Sequence, residues 1–407
     1  MKRIALILLA SLPLVACCHH RIDPVEPEYD RVAVLFSLGR NSLSYYLSTD
    51  IGELCRESEG AYVPEYGSNK ALLVVSHSMV EDWAYDELTS PVLYSIHKDK
   101  SGLVVRDTVY SLSPETVLTD PSTMQTFFEV IKEKFPAKHY GMIYSSHGSG
   151  WLPDNYFGDG RISRPTMSIG QEIQGSSQYF MNIPEFAASI PYHLDYILLD
   201  ACLMGNVETV YELRNCADQI AVSATEIMAD GFDYKNLARR LLTGTSASPK
   251  AVCEDYIAQY KAKTGYESSA CIALVNTAGM DNLAAVCKEL FAKYGPVLET
   301  IDQSEIQRFF RYNTSRPDEL LQYGWFYDLQ DIIVKAGASD DEVSRLSEAI
   351  EDCIAFKDCT EEFMASVNGF PFESYCGLGM ALPQFKDQQL KDYYKTLAWN
   401  KATGLVK

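Results

Sequence analysis

The sequence predicts an α/β protein: a mostly parallel sheet flanked by helices, with a mostly helical C-terminal subdomain. Three observations predict it. Between about residues 31 and 265, short apolar runs alternate with longer amphipathic stretches. Those runs are continuous rather than alternating, as strands buried on both faces require. After about residue 265 a helical period predominates, in a chain of 407 residues that is 47% hydrophobic and so carries enough apolar material for a large core.

Each element has its own reason. "RVAVLF" (31–36) and "ALLVVS" (71–76) read as buried strands, and "SLSYYLSTDIGELCRE" between them as a helix. Residues 119–137 form a stronger helix: Asp120 before Pro121 is a good N-cap arrangement, and Pro136 follows the last turn. "YGMIYSS" (140–146), "LDYILLD" (194–200) and "DQIAVSA" (218–224) are further strands, with helices at 206–215, 234–243 and 248–263. "CIALVN" (271–276) is a strand, followed by helices at 279–294, 302–311, 327–336 and 340–356. A late apolar segment, "YCGLGMALP" (375–383), is expected to return to the sheet. The resulting division is 1–16, 17–30, a main α/β domain over 31–265, and the helical subdomain over 266–407.

The first thirty residues have a separate logic. Lys2 and Arg3 precede the apolar run "IALILLASLPLVA", which has the form of an export signal and is too short to span a membrane. Its ending, Leu14-Val15-Ala16-Cys17, resembles the bacterial lipobox, in which the cysteine is lipidated and becomes the new N-terminus. Residues 1–16 are thus expected to be removed as a lipoprotein signal, leaving Cys17 as the lipid anchor and 17–30 as a tether. Loss of Lys2 and Arg3 takes the formal charge from -20 to -22. That charge argues against nucleic acid as a partner and favours basic ones. No second stretch reaches the roughly 18 apolar residues of a membrane helix, so the protein is expected to be anchored in the cell envelope, outside the cytoplasm, without spanning the membrane. Of 11 cysteines, nine lie beyond the export region, with no C-x-x-C pair; an odd number leaves at least one unpaired.

Functional groups in open parallel sheets gather beyond the carboxyl ends of strands. His147 follows the strand 140–146 and Cys202 follows the strand 194–200, so both fall on one rim. A thiol nucleophile and an imidazole that moves protons need that placement. Gly148 and Gly150 let the chain turn after His147, and the amides of Gly148 and Cys202 make an expected oxyanion hole. Alone, Cys202 would read as structural, and His147 equally as a polar loop residue or a functional one. The pair, 55 residues apart on equivalent strand ends, reads as a site.

"YSSHGSGW" followed by "LLDACLMGNVE" resembles the clostripain family of cysteine peptidases (family C11), which belong to the caspase-like clan. "AVSATEIMADGFDY" (221–234) extends the resemblance, and "FYDLQDII" (326–333) adds to it. The resemblance implies a caspase-like fold and an endopeptidase cutting after Arg or Lys, with Cys202 as nucleophile and His147 as general acid/base. It implies acidic side chains that read the substrate's cation: Asp200 as pocket floor, Glu226 and Asp230 as walls. Some members are activated by cleavage at a basic residue between the histidine and the cysteine; here Arg161 is the expected point, since Arg164 precedes Pro165. Some relatives need calcium. The acidic composition permits it, although no EF-hand spacing is present and no ligands can be placed. Partners are expected to be protein or peptide substrates carrying Arg or Lys, and the chain is expected to be a monomer.

Other chemistries lack their motifs. No G-x-S-x-G elbow, H-E-x-x-H helix or phosphate loop occurs. His77 ends another strand but has nothing glycine-rich around it, and reads as structural. His193 precedes its strand and should lie at the opposite edge. Two rival readings stay open: a non-catalytic caspase-like surface lipoprotein for binding or adhesion, and a peptidase of the same clan that cuts after Asp or Asn.

Overall fold

In the computed structural model, which describes residues 27–81, 84–154, 168–311, 325–385 and 387–407, the apolar runs become a single large sheet. Its strands, in chain order, are β1 (Tyr29–Gly39), β2 (Lys70–Ser78), β3 (Val92–Lys98), β4 (Val104–Ser111), β5 (Ala137–Ser145), β8 (Leu194–Asp200), β9 (Ala217–Val222), β10 (Cys271–Asn276) and β12 (Ile354–Cys359). The numbering leaves room for four hairpin strands and two short ones: β6 (Ile169–Gln174), β7 (Ser177–Met181), β11 (Tyr327–Asp328), β13 (Glu362–Phe363), β14 (Phe370–Pro371) and β15 (Gly379–Met380). Across the sheet the order is β12-β10-β9-β8-β5-β1-β2-β3-β4. The central strands β9, β8, β5, β1 and β2 are parallel, and both flanks run antiparallel.

Strand parity explains the continuous apolar runs. Along β1, Val32, Val34 and Phe36 enter one core layer while Ala33 and Leu35 enter the other. In β8, Ile197 and Leu199 face the first layer, and Tyr196 and Leu198 the second. Both faces are covered, so both parities must be apolar. The helix Pro121–Lys134 packs Met124, Phe127, Phe128 and Ile131 into the first layer, each worth about 1.5–3 kcal/mol of burial. Its start is as expected: the Asp120 carboxylate accepts from Ser122 N at 2.7 Å and Thr123 N at 3.2 Å. The second layer is roofed by Ser44–Leu54, Tyr234–Leu242 and Pro249–Lys261.

One glycine is a packing requirement. Gly141 in β5 is paired with Tyr196 in β8, whose ring lies so close that a Cβ on Gly141 would sit 1.9 Å from it. Gly141→Ala is therefore expected to cost about 1–3 kcal/mol. A urea midpoint equal to that of the wild type would mean that the ring swings aside at no cost.

The structure departs from the sequence reading in several places. A hairpin, β3–β4, extends the sheet where no strand was expected; its burial is half-exposed, so its apolar residues never form a run. Residues 302–311 make only a single turn at Gln303–Glu305, after which Phe309 N donates to Phe326 O at 2.9 Å; this long-range pairing takes the backbone groups a helix would need. The helix expected to reach residue 356 ends at Cys353, and the chain turns into β12 against β10. The segment 375–383 stays out of the large sheet, pairing only Gly379–Met380 with Tyr327–Asp328. Strands β10 and β12 both come from beyond residue 265, so that part of the chain contributes to the sheet as well as to the helices.

Candidate active site

Strands β5 and β8 are neighbours, with Ser145 opposite Asp200. Two residues further along each strand stand His147 and Cys202. The loops stay together past the last pair: Ser146 N reaches Asp200 O at 3.4 Å, and a Cβ on Gly148 would lie 2.8 Å from Cys202 O and 3.0 Å from Met204 Sδ. A side chain at 148 would thus push the two loops apart.

The His147 loop is zipped to β6. Gly170 N donates to His147 O at 2.8 Å, and Ser149 N to Ser168 O at 2.9 Å. These two bonds flank the bridge between Gly148 and Ile169, so the Gly148 N–H points away from β6. The imidazole has a partner that sequence reasoning missed: Ser42 Oγ lies 2.9 Å from His147 Nε2. Buried Asn41 beside it donates to Leu38 O at 2.7 Å and Gln171 O at 2.8 Å, tying the end of β1 to β6. The available signal was the rim itself, because residues 40–43 follow β1 as 146–148 follow β5. Next in the chain, Trp151 is buried edge-on to Tyr394, which anchors the loop on the C-terminal helix Gln388–Thr396.

Cys202 occupies a sharp turn. Leu203 takes a left-handed backbone (φ 62°), a conformation costing a branched residue about 1–2 kcal/mol. It is held there by Leu203 N donating to Thr225 O at 2.9 Å and Asn206 Nδ2 donating to Leu203 O at 2.8 Å. The thiol is half-buried, and its sulfur accepts from Ile227 N at 3.3 Å. Burial pushes the thiol up to about 12, and the Glu226 charge adds to this; the Ile227 N–H and the Arg311 guanidinium oppose it.

The three candidate cation-reading acids differ in setting. Asp200 is buried, accepting from Tyr234 OH at 2.7 Å and Ser145 Oγ at 3.4 Å, and burial raises its carboxyl to about 6. Glu226 is gripped by both arms of Arg311, with Nη2 2.9 Å from Oε1. Asp230, largely exposed, pairs with Lys263 Nζ at 2.5 Å. Arg161 and Cys17 lie outside the described residues. His77 is buried with Glu172 and Thr89 O, as a structural histidine, and His193 pairs with Asp218 at the far edge. Among the described residues no cluster of His, Cys, Asp and Glu side chains could hold a metal ion, and all nine described cysteines are free thiols.

A half-buried thiol and an imidazole beside a glycine turn, on one rim of a mostly parallel sheet, have the form of a thiol hydrolase. Comparison with known proteins narrows the class. The sequence model of the clostripain family matches residues 35–402. Clostripain of Hathewaya histolytica is 24% identical over 139 residues, a stretch covering 32% of this chain and 26% of that protein's length. Among solved structures, an inactive zymogen C11 protease from Parabacteroides distasonis superposes with a TM-score of 0.76 at 23% identity, over 93% of this chain and 99% of that one. A secreted C11 cysteine protease from Bacteroides thetaiotaomicron, solved with an irreversible peptide inhibitor, gives 0.73 at 24% identity, over 92% and 99%. The chain belongs to the clostripain family of cysteine peptidases.

Proposed function

We propose that this chain is an endopeptidase that cuts after Arg or Lys, with Cys202 and His147 as its catalytic pair. The observation that supports this most is the rim geometry, with Gly148 packed against the Cys202 carbonyl. In the reaction, His147 takes the thiol proton as the sulfur attacks the scissile carbonyl carbon. The carbonyl oxygen, now an oxyanion, accepts N–H donors from Gly148 and Cys202. The C–N bond then breaks, and His147 returns the proton to the leaving amine. Water, deprotonated by the same imidazole, hydrolyses the thioester and regenerates the thiol. Ser42 positions the ring. Asp200 forms the floor of a pocket for the substrate's cation, with Glu226 and Asp230 at its wall.

The test is hydrolysis of matched reporter peptides ending in Arg, Lys or Asp by the full-length protein, with and without calcium. Faster cleavage after Arg or Lys is expected; cleavage after Asp, or none, would favour the rival readings.

The same reading places the protein outside the cytoplasm, held by a lipid on Cys17. Among the described residues no helix is long and apolar enough to cross a membrane, and the matched Bacteroides thetaiotaomicron protease is a secreted one. Cys17→Ser is expected to move the protein from the membrane fraction to the soluble one. Cleavage at Arg161 is expected to yield two fragments, absent in Arg161→Ala; fragments of unchanged size would place the nick elsewhere.

A further inference from the structure

The loop of His147 hangs on β6, through the bonds from Gly170 N to His147 O and from Ser149 N to Ser168 O. Yet β6 and β7 form a small sheet of their own, so β6 takes no register from the nine strands. A buried polar cluster, unused by the reaction itself, seats it on the body of the protein. Glu172, within β6, is wholly buried, and so is His77 near the end of β2. Glu172 Oε1 meets His77 Nδ1. Glu172 Oε2 accepts from Thr119 N at 2.9 Å and Thr119 Oγ1 at 3.2 Å, just ahead of the helix Pro121–Lys134. His77 Nε2 donates to Thr89 O at 2.8 Å. A carbonyl only accepts, so Nε2 carries a proton, and a second proton lies between Nδ1 and Glu172. The pair is neutral as a whole wherever that proton sits, which suits a place sealed from water.

The same cluster reaches the other side of the imidazole. Thr89 Oγ1 accepts from Arg40 Nη1 at 2.8 Å. Arg40 Nε donates to Ile173 O at 3.2 Å, and Arg40 O accepts from Ile173 N at 2.7 Å. Arg40 and Asn41 lead directly into Ser42, whose hydroxyl is 2.9 Å from His147 Nε2. Two holds on His147, one on its backbone through β6 and one on its ring through Ser42, therefore converge on His77 and Glu172.

We propose that the buried pair His77–Glu172 positions His147 for catalysis, by fixing where β6 sits and with it the loop that carries the imidazole. Both are positioning residues, since neither touches the substrate. Apolar side chains would fill the same volume without choosing a register for β6, whereas the two oxygens of one carboxyl, each with its own partner, fix it. The inference rests on reading Cys202 and His147 as the catalytic pair.

The experiment compares full-length wild type with Glu172→Met and Glu172→Gln on an Arg reporter, well below each protein's Tm. Methionine keeps the volume and removes both oxygens. Glutamine can donate to a neutral His77 Nδ1 and still accept from Thr119 N. Glu172→Met is expected to lower kcat by about 10- to 100-fold with KM within about threefold, because the proton-transfer geometry is lost and binding is not. Glu172→Gln is expected to recover kcat to within about threefold. Alkylation of Cys202 by iodoacetamide at pH 9 should run at the wild-type rate in both, since that loop is held by Thr225 and Asn206. If Glu172→Met fails to fold, the double variant His77→Leu/Glu172→Met, which replaces a buried pair by apolar groups, reads the same kcat. Wild-type kcat in a folded variant lacking the carboxyl overturns the assignment and leaves the pair a stabilising one, while the Cys202–His147 reading stands. Faster alkylation of Cys202 alongside the loss of kcat also overturns it, because the whole rim has then moved. A wild type whose activity survives His147→Ala removes that reading, and this inference with it.

Discussion

Cys202→Ala is expected to reduce peptide hydrolysis by at least about a thousandfold, with the fold unchanged. In the proposed reaction the substitution removes the atom that bonds to the substrate, and alanine is small enough for a half-buried turn. Cys202→Ser should be as inactive, because the hydroxyl is a far weaker nucleophile at the same point. The state of the resting thiol makes a sharper test. Burial and the Glu226 charge hold it near 12, so almost none is thiolate at neutral pH. Iodoacetamide should therefore label Cys202 slowly at pH 7, the rate rising about tenfold per pH unit up to pH 9. Labelling at other cysteines is subtracted with the Cys202→Ala protein. A fast rate that persists down to pH 6 would show a standing thiolate–imidazolium pair, and would contradict the arrangement seen at Ile227 and Glu226.

Asp200→Asn should lower cleavage after Arg or Lys by about 100-fold while cutting after a neutral residue changes little. The wild type should show the same loss when acidified. The Asp200 carboxyl sits at about 6, so below that pH it is neutral and attracts no cation; selectivity for Arg over citrulline should fall as pH drops through about 6. Stability runs in the opposite direction. A carboxyl that holds its proton more tightly when folded makes the folded state bind more protons between about pH 4 and 6, so stability falls as pH rises through that window. Above it, Asp200→Asn is expected to keep or raise Tm while selectivity is lost. An Asn variant that unfolds early and cleaves Arg reporters normally would show that Asp200 is a structural acid. The trade fits a site that spends stability to hold charge in a dry place.

Much of this site was legible in one dimension, for a local reason. Strands buried on both faces must be apolar at every position, so β1, β5 and β8 announce themselves, and their parallel order puts the residues after them on one rim. His147, Cys202 and Asp200 follow from that rule. Half-exposed strands such as β3 and β4 carry a weaker pattern, and the helix expected at 302–311 yields to pairing between Phe309 and Phe326. Interactions across long stretches of chain have no local signature at all. Arg311 meets Glu226 across 85 residues, and Ser42 meets His147 across 105. Sequence alone therefore determined the central strands, their common rim and the placement of His147 and Cys202 on it. Only the tertiary structure decided which acids are already paired and which hydroxyl meets the imidazole, because those depend on where separate elements pack rather than on the residues beside them.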